Sequence, residues 1–286
     1  MNLYPKLKAY VDLTKPRLVA LVMWSVTVGF MMAPGADPVS WYFILILTGV
    51  GLVAAGSLTL NQWIERSEDS IMARTQKRAL PSGRAHEKEA LILGLGLSLA
   101  GCVILWAAPY KLSLFLTILT WVTYLFLYTP LKKITTLNTL IGALPGALPP
   151  MVGWVSATGH ITYEAWVLFA ILFLWQLPHF LALSWMYRDD YAKADFVMLP
   201  IKDSSGQMVA RQAVFYCAAL LPVSLMPSLC GMTGWIYFVI AFILGTIFLI
   251  ASLKGLKDLD REARSIFKAS LVYLSVLLLA MVIDKV

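Results

Sequence analysis

Asn61, Glu65 and Asp69 stand four residues apart at the end of an apolar run, WYFILILTGVGLVAAGSLTL, that contains no charge. On a helix of 3.6 residues per turn they fall within roughly an 80° arc, with Glu68 beside them. They form one oxygen-rich stripe. Such donors suit Mg²⁺, a hard cation that keeps several waters and is held by one or two carboxylates plus phosphate oxygens, with the asparagine amide adding a neutral oxygen. Zinc would require His or Cys, and the stretch has neither. Downstream, MARTQKRALPSGR supplies Arg74, Lys77 and Arg78, and Lys132, Lys133 and Lys193 follow later in the chain. All six are able to grip phosphate oxygens. The pattern fits a diphosphate bridged to the protein by Mg²⁺. It also fits a helix end with solvated charges and surface ion pairs, and spacing alone does not choose between them.

The elements that would carry this stripe are membrane helices. Of the 286 residues 59% are hydrophobic and 14% charged, with a mean hydropathy of +0.76, far from a soluble average. Segments able to cross a ~30 Å hydrocarbon core recur at about 18–34, 41–61, 90–108, 112–129, 137–156, 163–187, 212–230, 233–252 and 266–283. The fold class expected is an all-α integral membrane protein of nine transmembrane helices, forming one domain over residues 1–286. Ala33-Pro34-Gly35-Ala36 resembles a signal-peptide cleavage site, but the proline is unfavourable there and nothing else points to export. Cys102, Cys217 and Cys230 have neither metal-site spacing nor a paired framework and read as small core residues.

Of the 23 Lys and Arg residues 21 fall on one face, leaving only Lys111 and Lys285 on the other. The positive-inside rule then places the amino terminus and the large loops in the cytoplasm and the carboxyl terminus outside. The net charge of +7 is topology and needs no nucleic acid to explain it. Thirteen of the 16 acids share the basic face, although acids have no topological reason to gather there. A second acidic group, Asp189, Asp190 and Asp195, follows helix 6. Helices 1–4 and 5–8 would place the two acidic groups in corresponding loops of a parallel repeat, with helix 9 added.

Two features lie deeper. GALPGALPP at 142–150 places Gly142 and Gly146 at the spacing of close helix packing, and Pro145, Pro149 and Pro150 are not expected all to continue a regular helix. Broken backbone at that depth must be buried in protein or line a cavity. His179, inside helix 6 and ~16 Å along the axis from Asp190 if the helix is regular, is either an interhelical hydrogen-bonding group or a functional one. His86 and His160 read as solvated loop residues.

The stretch NQWIERSEDSIMARTQKRALPSG resembles the first aspartate-rich motif of the UbiA superfamily of intramembrane prenyltransferases. TKPR at 14–17, GALPGALPPMVGW at 142–154 and FLWQLPHF at 173–180 leading into RDDYAKADFVMLP narrow the resemblance to its protohaem IX farnesyltransferase branch. It covers nearly the whole chain, with the motifs in the family's order. It implies a bundle around a central cavity in which Asn61, Glu65, Asp69 and Asp190 hold Mg²⁺ and the six basic residues hold the diphosphate. His179 would contact the iron or a polar edge of haem, and Trp175 would stack on the macrocycle. The substrates implied are farnesyl diphosphate and protohaem IX, in the plasma (inner) membrane, with haem O passed to a haem A synthase. Position 65 is Glu where the family usually has Asp, and Tyr187 and Tyr191 flank Asp189-Asp190 where the wider superfamily tends to have D-x-x-x-D. A UbiA-type enzyme with a quinone precursor or another ring as acceptor shares everything but the helix 6 signature. A transporter would keep its coupling acids near the midplane rather than at one edge.

Overall fold

Charge and proline divide this chain into its helices. A computed structural model describes residues 4–286, the side chains from residue 6 onward. The basic arm forms α1 (Tyr4–Thr14), and Lys15 breaks it in the left-handed region at φ 49°. Pro16 then opens α2 (Pro16–Met32) at the helical position where a missing amide costs nothing. There follow α3 (Trp41–Ile64), the short α4 (Arg66–Ile71), α5 (Glu87–Trp106) and α6 (Lys111–Val122). The last runs through a π-helical turn (Thr123–Tyr128) into α7 (Thr129–Leu131). The second half comprises α8 (Asn138–Thr158), α9 (Tyr163–Met186), α10 (Arg188–Lys193), α11 (Leu199–Lys202), α12 (Gln207–Leu229), α13 (Trp235–Gly255) and α14 (Leu259–Ile283).

Among the described residues nine helices are long and apolar enough to cross a membrane, each overlapping a span expected from the sequence, although the first begins at Lys6 and the last at Leu259, earlier than expected. Neighbours in sequence pack on one another: α2 on α3, α3 on α5, α8 on α9, α9 on α12, α12 on α13. Helix α14 closes the bundle by packing on α13, α9 and α2. Its far end is tied down as well, Lys285 Nζ donating to the carbonyls of Met31 (2.6 Å) and Ala33 (2.9 Å). Residues such as Ile92, Leu99, Val103, Phe115, Phe126 and Phe215 are exposed and apolar, as a lipid-facing surface requires.

Two sequence expectations need correction. Helix α8 is continuous through Pro145, Pro149 and Pro150. Neighbouring helices make this tolerable by closing on its backbone, and the Gln176 amide donates to the Ala143 carbonyl at 3.0 Å. The small residues are there for close approach: a Cβ on Gly29 would lie 1.9 Å from the Pro150 oxygen, and one on Gly153 would lie 2.0 Å from the Val26 oxygen. Association in lipid depends on such van der Waals contact rather than on a hydrophobic drive. Gly29→Val is therefore expected to lose most folded protein, read as monodisperse yield in mild detergent, whereas Gly96→Val, which meets nothing within 4 Å, should express normally.

The second correction concerns the stripe. It does not lie on one regular helix, because the chain bends at Glu65 (φ −91°, ψ 16°) between α3 and α4. The four-residue hydrogen bonds survive the bend, with Glu65 N donating to Asn61 O (2.9 Å) and Asp69 N to Glu65 O (2.8 Å). Asp69 is thereby turned inward, with no exposed surface.

Candidate active site

The polar end of α3 faces the end of the fourth span, and three contacts join them in register. Asn61 Nδ2 donates to Thr129 Oγ1 at 3.2 Å, Lys132 Nζ to Glu65 Oε1 at 2.6 Å, and Lys133 Nζ to Glu68 Oε1. The Glu65 and Lys132 side chains are only 8% and 11% exposed, so removing either would leave an uncompensated charge at a cost of about 3–5 kcal/mol. Burial works against the Lys132 charge, but the Glu65 carboxylate and the Tyr128 and Tyr124 hydroxyls together outweigh it and hold the ammonium above its usual range. For Glu68 burial pushes the carboxyl up, and hydrogen bonds from Lys133, from its own backbone and from Ser67 together pull it below the usual value.

Asp69 is held from the downstream loop. Arg78 Nη1 lies 2.7 Å from both carboxylate oxygens, and Thr75 Oγ1 donates to the Asp69 carbonyl at 2.9 Å. The second acidic group closes on this loop from α10: the Arg74 amide donates to Asp190 Oδ2 at 3.3 Å. The Arg74 guanidinium lies 4.9 Å over the Tyr187 ring and donates to Tyr191 Oη at 3.1 Å. The two tyrosines that interrupt the acidic pattern therefore seat a cation beside Asp190. Lys193 stands 4.0 Å from Asp190 but is 63% exposed, a contact worth little. The FVMLP segment is fastened to the end of the fourth span by Val197 N donating to Lys132 O (2.7 Å), and to the start of α8 by Asn138 Nδ2 donating to Val197 O (2.8 Å).

Two of the sequence candidates stay apart. Lys77 is exposed, and its recorded contact is the backbone carbonyl that receives Arg84 Nη2. Asp195 is exposed in the left-handed region at φ 55°, where it serves as a turn residue just after α10. Three residues were missed. Lys15 lies within electrostatic reach of Arg78, Glu65, Lys132 and Asp69, and Tyr124 and Tyr128 are half-buried beside Lys132. The Lys132 ammonium sits 4.5 Å over the Tyr128 ring. The available sequence signal for Lys15 was its place before Pro16, where a helix is expected to break. For the tyrosines the sequence mark was Pro130, which follows the π-turn that carries them.

His179 lies about two turns inside α9 from the bend at Tyr187. Its ring is stacked between Trp175 (5.0 Å, 25°) and Phe267 of α14 (4.7 Å, 29°). Nδ1 is 2.8 Å from Ser270 Oγ, whose hydroxyl donates to the Phe267 carbonyl at 2.6 Å. With the single serine proton on that carbonyl, Nδ1 is the donor and Nε2 keeps its lone pair. Trp175 gives one face to this imidazole, and its Nε1 donates to the Ser270 carbonyl at 2.7 Å. Trp175 therefore stacks on His179 and helps to orient it.

Glu65, Asp69 and Asp190 with the Asn61 amide make an all-oxygen donor set, ringed by Arg74, Arg78, Lys132 and Lys133. Among the described residues no three His, Cys, Asp or Glu side chains form a ready-made cage. The oxygen-only chemistry of these four side chains suits Mg²⁺, which fills the rest of its octahedron with water and phosphate, better than zinc, which favours His and Cys. A narrow cavity of about 30 Å³ lies between Tyr128, Asn138, Phe180 and Tyr191, beside this cluster. The larger opening, about 390 Å³ between Arg66, Ser67, Leu80, Pro81 and Glu87, does not touch the stripe.

The chain matches the UbiA prenyltransferase family over residues 22–277. It is 43% identical to the protoheme IX farnesyltransferase of Solibacter usitatus, over 98% of this chain and 99% of that one. Among solved structures its fold is similar to a digeranylgeranylglyceryl phosphate synthase (TM-score 0.82, 19% identity, 98% of each chain). It is also similar to a UbiA homologue of Archaeoglobus fulgidus bound to GPP and Mg²⁺ (TM-score 0.62, 12% identity, 96% of this chain and 99% of that one). With nine membrane-length helices, an oxygen stripe at one edge and a match spanning most of its length, the chain belongs to the UbiA prenyltransferase family.

Proposed function

We propose that this protein is a Mg²⁺-dependent protohaem IX farnesyltransferase that moves a farnesyl group from farnesyl diphosphate to a vinyl group of protohaem IX, giving haem O. The observation that carries the reading is the pairing of a polar, cation-rich cluster at one membrane edge with a single imidazole about two turns inside the same helix that leads to Asp190. Near-full-length identity to protoheme IX farnesyltransferases supports the choice of acceptor.

The diphosphate would rest on the basic face, gripped by Arg74, Arg78, Lys132 and Lys133, with Lys193 at the rim and Lys15 in addition. Asn61, Glu65, Asp69 and Asp190 would hold Mg²⁺, which when bound supplies positive charge to the departing phosphate oxygens. The preorganised cations act in the same sense: they meet negative charge as the C–O bond of the farnesyl diphosphate breaks and the electron pair leaves with the diphosphate. Tyr124 and Tyr128 line the approach and keep water from the allylic cation. The vinyl carbon of protohaem captures that cation, and water then adds to the neighbouring carbon with loss of a proton, completing a hydroxyethylfarnesyl group. His179, fixed through Nδ1, offers Nε2 to the iron and so sets the position of the vinyl group. A haem A synthase in the same plasma membrane would take the product.

The charge asymmetry supports a cytoplasmic basic face and an external carboxyl terminus. The parallel-repeat reading, with the two acidic groups in corresponding loops, belongs to the same proposal. A Ser82→Cys variant should accordingly label from the cytoplasmic side in inverted vesicles; labelling only from outside would reverse the topology. The function itself is tested by incubating purified protein with Mg²⁺, farnesyl diphosphate, haem and an aromatic quinone precursor together, then analysing products by mass spectrometry. Farnesylated haem as the prenylated product is the expected result. A prenylated quinone precursor with unchanged haem would assign the chain to another acceptor.

A further inference from the structure

The fourth span contains an irregularity that the reaction does not explain. At Thr123–Tyr128 the helix widens to a π-helical turn, closed by the Thr129 amide donating to the Tyr124 carbonyl five residues back. Pro130 gives the local reason: it lacks the amide an α-helix would need there, and its ring crowds the carbonyl four residues earlier. A π-turn inserts one residue and so rotates everything after it by about a quarter turn or more, and such turns recur at functional sites. Here the residues after it are Thr129, Lys132 and Lys133, the three that meet Asn61, Glu65 and Glu68.

Thr129 is 3% exposed and its hydroxyl donates to the Tyr124 carbonyl at 2.8 Å. A hydroxyl has one proton. Toward Asn61, itself 2% exposed, Thr129 Oγ1 therefore offers only a lone pair, and the amide end it faces must be the Nδ2 donor. The carbonyl Oδ1 is left pointing away from Thr129, and among the described residues no group donates to it. Unlike the carboxylates of the stripe, an asparagine presents a ligand or a repulsive donor according to which way its amide is turned.

We infer that Thr129 is a positioning residue: the π-turn anchors its hydroxyl so that the Asn61 amide is locked with Oδ1 toward the metal–diphosphate seat. The inference rests on the proposed role of Asn61 as a metal ligand, and it adds a residue whose effect passes through that ligand. Outer groups that orient a metal ligand typically change metal affinity by about 10- to 100-fold when removed.

The test is Mg²⁺-dependent binding of a non-hydrolysable farnesyl diphosphate analogue, followed by calorimetry on full-length protein in nanodiscs. Thr129→Val keeps the branched shape and removes the hydroxyl. The Mg²⁺ concentration for half-saturation should rise about tenfold in this variant, while Thr129→Ser stays near wild type. If the valine protein does not fold, as judged by thermal unfolding, Thr129→Ala takes its place. In an Asn61→Ala background the same change at Thr129 should have no further effect on Mg²⁺, because the residue through which it acts is gone. A purely structural role would give the same penalty in both backgrounds. Wild-type Mg²⁺ dependence in Thr129→Val, or an undiminished penalty on Asn61→Ala, overturns the inference. Wild-type Mg²⁺ dependence in Asn61→Ala alone overturns instead the ligand reading on which it rests.

Discussion

Asp69→Asn is expected to reduce prenyl transfer by about 10²–10³-fold or more, the scale on which a preorganised charge-stabilising group is missed. Two effects combine. The neutral amide keeps an acceptor for Arg78 but loses the negative charge that a divalent cation requires. Arg78, 2.7 Å from both oxygens in the native protein, is left without its counter-charge in a place where it would grip phosphate. The same change lowers stability, because the Asp69 side chain is 1% exposed and holds the loop that also carries Arg74. Arg78 is 26% exposed and has water to turn to, so the cost is about 1–3 kcal/mol rather than the larger figure of a fully buried pair. Product formation and thermal unfolding measured on one preparation separate the two. Near-normal turnover at limiting Mg²⁺ would remove Asp69 from the metal site.

His179→Ala is expected to separate the two substrates. The imidazole is held by Ser270, Trp175 and Phe267, none of which touches Asn61, Glu65, Asp69 or Asp190. Haem titrated by absorbance should bind more weakly and with altered spectrum, while the Mg²⁺-dependent binding of a farnesyl diphosphate analogue stays close to wild type. Misplacing the vinyl group by about 1 Å costs on the order of 10²-fold in rate, so turnover should fall even at saturating haem. Unchanged haem binding together with unchanged turnover would leave His179 as a packing group between α9 and α14.

How much of this was legible in the sequence depended on the kind of signal. Spans were readable because hydropathy and length report membrane crossing directly, and the ends of α3 and α9 were readable because charge begins there. The faces of the helices were not. In lipid the outward surface is as apolar as the inward one, so hydropathy does not say that Tyr128 points at Lys132 while Phe126 points at lipid. The bend at Glu65 follows no local spacing, and Pro130 marks a break in the fourth span without saying that it takes the form of a π-turn. The three prolines of α8 misled for a related reason: local propensity is against a continuous helix, and neighbouring helices override it. Lys77 misled because a loop has no period, and its position in a basic stretch does not fix where its side chain goes.

The account is tested most directly by locating the metal. A structure of the full-length protein with Mn²⁺ in place of Mg²⁺ and a non-hydrolysable farnesyl diphosphate analogue gives an anomalous signal that needs no prior assumption about the site. The peak is expected at the basic face between Asn61, Glu65, Asp69 and Asp190, with the diphosphate lying between it and Arg74, Arg78 and Lys132. A peak elsewhere, at the bilayer midplane or at the opposite face, would contradict it.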